Sequence, residues 1–234
     1  MTAAPMLSEL ERDALAELGN IGIGKASTAL GRMLGGLVTL SVPSVEMVPP
    51  EEVAGLLDRA LTPPLVGVSE RLDGLFAGCA LLVFPQAGSL PLVRAALPPG
   101  VPPDDVPELE DEVLAELGNV VLNSALALVA NLLGEPVDTG LPVVIRGSGA
   151  EILRSCAVVA PAIVAEAGAA QSGLGAAAVL FHIDLHTSLP DGDGDGASVG
   201  ASVGVGGRVV LLLDSGSAGT LQATLGRYIG RMVT

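Results

Sequence analysis

With 26 acidic residues against 11 basic ones, the 234-residue chain carries a net charge of −15, which repels phosphate backbones and sets nucleic-acid binding aside. Half of its residues are hydrophobic but only 2% are aromatic, so the core must be built from Ala, Val and Leu and offers no rings for base stacking. The length suits one large domain or two small ones, and the charge can steer the protein toward a basic patch on a partner.

In chain order, Leu10, Ala14, Leu18 and Ile21 keep helical spacing, and Leu30, Met33 and Leu34 extend the helix until Gly35-Gly36 can stop it. Leu37 to Val48 reads as a strand, and Pro49-Pro50-Glu51-Glu52 opens a short helix to about Ala60. Leu65 to Leu72 and Leu75 to Phe84 read as strands joined at Asp73-Gly74, before a helix from about Gln86 to Leu97. The prolines at 98, 99, 102 and 103 make a stiff linker. The order then repeats: a helix from about Pro107 to Leu133, a strand near Leu141 to Arg146 and a helix near Ala150 to Ala167. Strands near Ala176 to Leu185 and Arg208 to Leu213 follow, then a helix from about Ala218 to Met232. Between these last strands, the Asp/Gly-rich tract at 190–207 reads as a flexible hairpin insertion; it lacks the bidentate Glu and flanking helices of an EF-hand.

The repetition is literal in places. Asp13 to Val45 aligns with Glu112 to Val144 at a constant offset of 99 residues, and LAELGN recurs at Leu15 to Asn20 and at Leu114 to Asn119. Leu34-Gly35 answers Leu133-Gly134, and Pro43 answers Pro142. The expected architecture is α+β: a single domain over 1–234, made of two pseudo-symmetric repeats (about 7–98 and 107–234). They share one mainly antiparallel sheet flanked by helices, with the two long helices on its surface and their Glu-Asn stripes outward. A monomer is expected. Cys79 and Cys156 lie in apolar runs and read as core thiols, while His182 and His186 sit in an alternating strand pattern with no third metal ligand at motif spacing. No secretory signal or membrane span is legible, so a cytoplasmic protein without membrane insertion is expected.

GNIGIGKAS, Gly19 to Ser27, resembles a nucleotide-binding loop, but three features fail. The residues before Gly19 are helical in pattern, Ala26 lacks the hydroxyl that would hold magnesium, and the second copy, GNVVLNSA, loses the lysine. What the copies share is Glu17 and Asn20 with Glu116 and Asn119, extended one turn back by Asp13 or Glu112. Asn disfavours helix interiors, and the preceding Gly19 or Gly118 costs about 1 kcal/mol relative to Ala. Two unfavourable residues at the same place in both halves mark a site.

This D-x-x-x-E-x-x-N pattern with a proline 23 residues after the Asn resembles the signature of the CheC, CheX and FliY family of chemotaxis phosphatases. The first copy has Asp13, Glu17, Asn20 and Pro43; the second has Glu116, Asn119 and Pro142, with Glu112 where the family usually shows Asp or Ser. The double signature resembles the two-site CheC type. The resemblance implies a phosphatase acting on the aspartyl phosphate of a CheY-like response regulator. Asn20 and Asn119 would orient the attacking water, Glu17 and Glu116 would contact the regulator, and Asp13, Gly19, Glu112 and Gly118 would support the interface. It implies no cofactor of the chain's own, Mg²⁺ being carried by the regulator. A non-catalytic adaptor that binds a CheD-type deamidase or the phosphorylated regulator is the alternative.

Overall fold

Ser8 starts the first helix. Its hydroxyl accepts from the Glu11 N–H while the Glu11 carboxylate accepts from the Ser8 N–H at 2.8 Å, so two orphan donors of the first turn are satisfied reciprocally. In this computed structural model, which describes residues 7–74, 77–98, 100–159, 177–188 and 202–232, that helix is α1, Glu9–Met33. Strand β1 (Leu37–Val48), helix α2 (Pro50–Leu61), strands β2 (Leu65–Asp73) and β3 (Gly78–Pro85), and helix α3 (Ser89–Ala96) complete the first half. The second half has α4 (Val106–Leu133), β4 (Asp138–Thr139), β5 (Val143–Gly147), α5 (Gly149–Val159), β6 (Ala177–Ser188), β7 (Ser202–Leu213) and α6 (Ser215–Met232). Both long helices end at a glycine in the left-handed region, Gly35 at φ +64° and Gly134 at φ +75°, where a side chain would be strained.

Among the described residues all strand pairs are antiparallel and form one seven-stranded sheet, in the order β1-β6-β7-β3-β2 with β4 and β5 both on the outer edge of β2. The order reads alike from both ends. The first half lends β1 to a strand of the second, and the second lends β4 and β5 to a strand of the first. Helices cover both faces. Leu15, Ile23, Leu114, Leu122, Leu221 and Leu225 bring α1, α4 and α6 onto one face, which α3 joins through Leu92 and Val93. On the other face α2 and α5 pack on each other over Leu65, Leu81, Leu180 and Val210. By length and composition α4 could cross a membrane; here its apolar side packs on the sheet and on α1.

Several expectations need correction. Leu10 and Ile21 are exposed at 57% and 60%; the buried stripe of α1 runs through Leu15, Gly19, Gly22, Ile23, Ala26 and Leu30. Small residues build it, because they let the helix axis approach the sheet, and hydrophobic spacing alone misplaces it. The tract at 190–207 is not wholly an insertion: Ser202 to Gly207 belongs to β7 and pairs with β6 as far as Ser188, its Val–Gly alternation fitting a strand. The rest of that tract, and the expected end of the helix beyond Val159, lie outside the described residues. Cys79 and Cys156, 77 residues apart, meet beneath α5 with their sulfurs 2.8 Å apart. Hydrogen bonding to Cys156 and burial push the Cys79 thiol well above its ordinary range. His182 on β6 donates across the strand pair to Glu46 at 3.0 Å, and burial lowers its pKa.

Candidate active site

The helix period decides how the shared residues are displayed. Asp13 and Glu17 on α1, and Glu112 and Glu116 on α4, are exposed. Three further residues rotate the position about 300° round the axis, which carries Asn20 and Asn119 off the Glu line, toward the buried side. Both asparagines are half-buried, so the expected outward stripe holds for the acids and not for the amides. The two helices pack side by side on the sheet.

In the first copy the Asn20 amide is occupied by the protein's own backbone. Its Nδ2 donates to the Val42 carbonyl at 3.0 Å and to the Ala16 carbonyl at 3.1 Å, and its Oδ1 accepts from the Val42 N–H at 2.8 Å. Seven residues on, Ser27 Oγ accepts from the Leu40 N–H at 3.0 Å. Strand β1 lies at the sheet's edge, so α1 satisfies backbone groups that an edge strand would otherwise leave open. The register shows why this spot needs it. Ser41 pairs with Asp184 and Ser44 with His182, so Val42 and Pro43 together oppose Ile183 in a bulge, and Pro43 has no N–H to give. The spacing from Asn20 to Pro43 is thus the length of chain from the helix, round the turn, to this bulge.

The second copy is built differently. The counterpart of Val42 is Leu141, which is 88% exposed, and the edge strand is broken between Thr139 and Val143. Asn119 does not reach that strand. Its Oδ1 accepts a short hydrogen bond from Asn123 Nδ2, and Asn123 Oδ1 accepts from the Thr139 hydroxyl at 3.5 Å. Among the described residues the Nδ2 hydrogens of Asn119 have no acceptor. Where Asn123 stands, the first copy has Gly24.

Neither glycine lies on the open surface, which corrects the role expected for them. A Cβ on Gly19 would meet the Phe181 ring and Val42 at 3.4 Å; on Gly118 it would fall 2.5 Å from Val68 Cγ1. Both glycines serve the close packing of helix on sheet. Beside the first copy, Asp13 and Pro43 line a groove of about 470 Å³ between α1 and β1, with Arg12, Ser44 and Glu46 on its walls.

Two further residues escaped the sequence reading. Asn123 was discoverable as a second Asn one turn past Asn119, unfavourable in a helix for the same reason. Glu70 carried no signal beyond a charge inside an apolar strand. It is fully buried in β2, neither carboxylate oxygen has a hydrogen-bond partner among the described residues, and burial raises its pKa from 4.5 to about 7.

A CheC-like family model matches residues 10–47, the span that holds α1, β1 and the Asn20 tie. Among curated proteins, the chain is 28% identical over 139 residues to the flagellar motor switch phosphatase FliY of Bacillus subtilis, a match covering 58% of this chain and 35% of that one. It is 26% identical over 131 residues to the CheY-P phosphatase CheC of the same organism, covering 54% of this chain and 61% of the relative. The matched stretch is thus well short of either relative's full length. Among solved structures, Thermotoga maritima FliY superposes with a TM-score of 0.63 at 16% identity, covering 94% of this chain and 98% of that one. A chain of the FliM–SpeE complex from H. pylori gives 0.57 at 10% identity, covering 94% of this chain and 97% of that one; at such identities the likeness is one of fold. The chain is thus similar to CheC-like proteins over residues 10–47, to the FliY and CheC phosphatases over a little more than half its length, and to FliY in fold.

Proposed function

We propose that the protein hydrolyses the aspartyl phosphate of a CheY-like response regulator in chemotaxis or motility signalling, as a phosphatase of the two-site CheC type. One observation carries the reading: an exposed Glu followed three residues later by a half-buried Asn, on each of two adjacent helices. A relative bearing the name CheY-P phosphatase supports the substrate class. Glu17 and Glu116 contact the regulator. Asn119 is the amide that enters beside the acyl phosphate as it stands, and Asn20 does so on letting go of the Val42 backbone. Water attacks phosphorus in line with the aspartyl oxygen, the phosphorus–oxygen bond breaks, and the aspartate leaves as a carboxylate.

The residue types suit that task. An amide both donates and accepts, so it can fix a water molecule and a phosphoryl oxygen together without a shifted pKa. It also avoids the repulsion a carboxylate would suffer beside phosphate. Positioning is the main demand in phosphoryl transfer, and the regulator brings the Mg²⁺.

Phosphate release from a labelled regulator tests the proposal. Substoichiometric protein accelerates release, and Asn20→Ala combined with Asn119→Ala abolishes it; undiminished release by the double variant sinks the reading. The adaptor reading draws on the closed hydrogen bonding of Asn20, which leaves the α1 copy only Glu17 to offer. It predicts binding of the phosphorylated regulator, or of a CheD-type deamidase, without turnover.

A further inference from the structure

We infer that Asn123 is a positioning residue for Asn119, an assignment that rests on the phosphatase reading. The two copies hold their asparagines by different means. Asn20 is gripped by the Val42 backbone, whereas among the described residues Asn119 is held only by a neighbouring side chain, one turn ahead on the same helix. The chain of hydrogen bonds has a direction. The Thr139 hydroxyl donates to Asn123 Oδ1, and Asn123 Nδ2 donates to Asn119 Oδ1.

A carboxamide has two faces of nearly equal shape, and turning it over exchanges oxygen for nitrogen. The donor on Asn123 selects one state: oxygen inward to Asn123, and both Nδ2 hydrogens left for an incoming phosphoryl oxygen. The second lone pair of Asn119 Oδ1 remains to accept from the attacking water. In the first copy Gly24 stands at the equivalent position, so no side chain does this there, and both Nδ2 hydrogens of Asn20 are already bonded. The device therefore belongs to the α4 copy alone.

Asn123→Ala removes the donor, and Asn123→Asp keeps the shape but offers an acceptor, which turns the Asn119 amide over. Regulator dephosphorylation by wild type and both variants, each also carrying Asn20→Ala so that turnover comes from the α4 copy, with thermal midpoints and the side-chain amide resonances of Asn119, tests the assignment. Loss of orientation lowers kcat about tenfold in the Ala variant, with at least that fall in the Asp variant. KM stays within about twofold in the Ala variant, midpoints hold, and the Asn119 amide resonances shift in both. Equal kcat in all three proteins overturns the assignment. So does a change confined to KM in the Asp variant, which charge repulsion alone would give. A wild type that releases no phosphate, or whose release survives Asn119→Ala combined with Asn20→Ala, overturns the phosphatase reading and the assignment with it. Loss on Asn119→Ala alone, with Asn123→Ala and Asn123→Asp silent, overturns the assignment only.

Discussion

Glu70 lies opposite Ala80 of β3 on one side and, on the other, opposite the break between Thr139 and Val143. A carboxylate there has lost its water and gained no donor, so the protonated form is the one the fold accepts. Its folded pKa of about 7 exceeds the ordinary 4.5, and between these values the native state holds a proton that the unfolded chain has released. The stability linked to this proton is whole below pH 4.5 and is lost as pH rises through 7. Glu70→Gln should therefore be more stable than wild type at pH 8, by an amount on the order of 3 kcal/mol. Urea melts from pH 5 to 8 should show the gap narrowing toward the acid end; a gap independent of pH would place the proton elsewhere. Asn20 is the opposite case, a polar group whose partners are complete. Asn20→Ala leaves the Val42 N–H unpaired and should cost about 1–3 kcal/mol, read as a lower urea midpoint, whereas Asn119→Ala should barely move it.

At the level of elements, the two long helices approach the sheet unequally. A Cβ at Gly118 would be 2.5 Å from one methyl of Val68 and 2.7 Å from the other, while at Gly19 the nearest atoms are at 3.4 Å. Gly118→Ala should destabilise by roughly 1–3 kcal/mol and be partly rescued by Val68→Ala. Gly19→Ala should be tolerated, with up to about 1 kcal/mol of helix propensity to gain. Thermal denaturation of the four proteins checks the contrast. Most helix bounds and those of β1 and β2 were legible because periodicity, the Gly stops at 35 and 134 and the prolines at 49–50 and 107 are local signals. The facing of α1 was not, since its buried stripe is made of Gly19, Gly22 and Ala26, whose burial expresses closeness and not hydrophobicity. For the same reason Glu17 could be placed on the surface from spacing, while the turn of Asn20 toward Val42 depended on a strand 22 residues away.

On the scale of the whole molecule, the strands of the halves interleave, so neither half contains its own sheet. Residues 1–98 alone would keep β1 without β6, and residues 107–234 would keep β4 and β5 without β2. Edges left open in this way invite aggregation. Each fragment expressed separately should lack cooperative unfolding, and co-expression should restore a soluble pair; a fragment that melts cooperatively as a monomer would contradict this. The repeat at 99 residues announced two halves. It did not announce which strands would meet, because β pairing is non-local and leaves no mark in either partner's own sequence.

The tie between Asn20 and Val42 alters what inheritance of the signature means. In the first copy the Asn and the Pro are needed by the bulge of an edge strand whether or not any phosphate is ever cleaved. A descendant that abandoned catalysis would still be held to those two letters, whereas Glu17, exposed and with its side chain bonded to none of the described residues, would be free to drift. In divergent relatives, then, the acid is the better witness to a working enzyme, and the amide the better witness to ancestry.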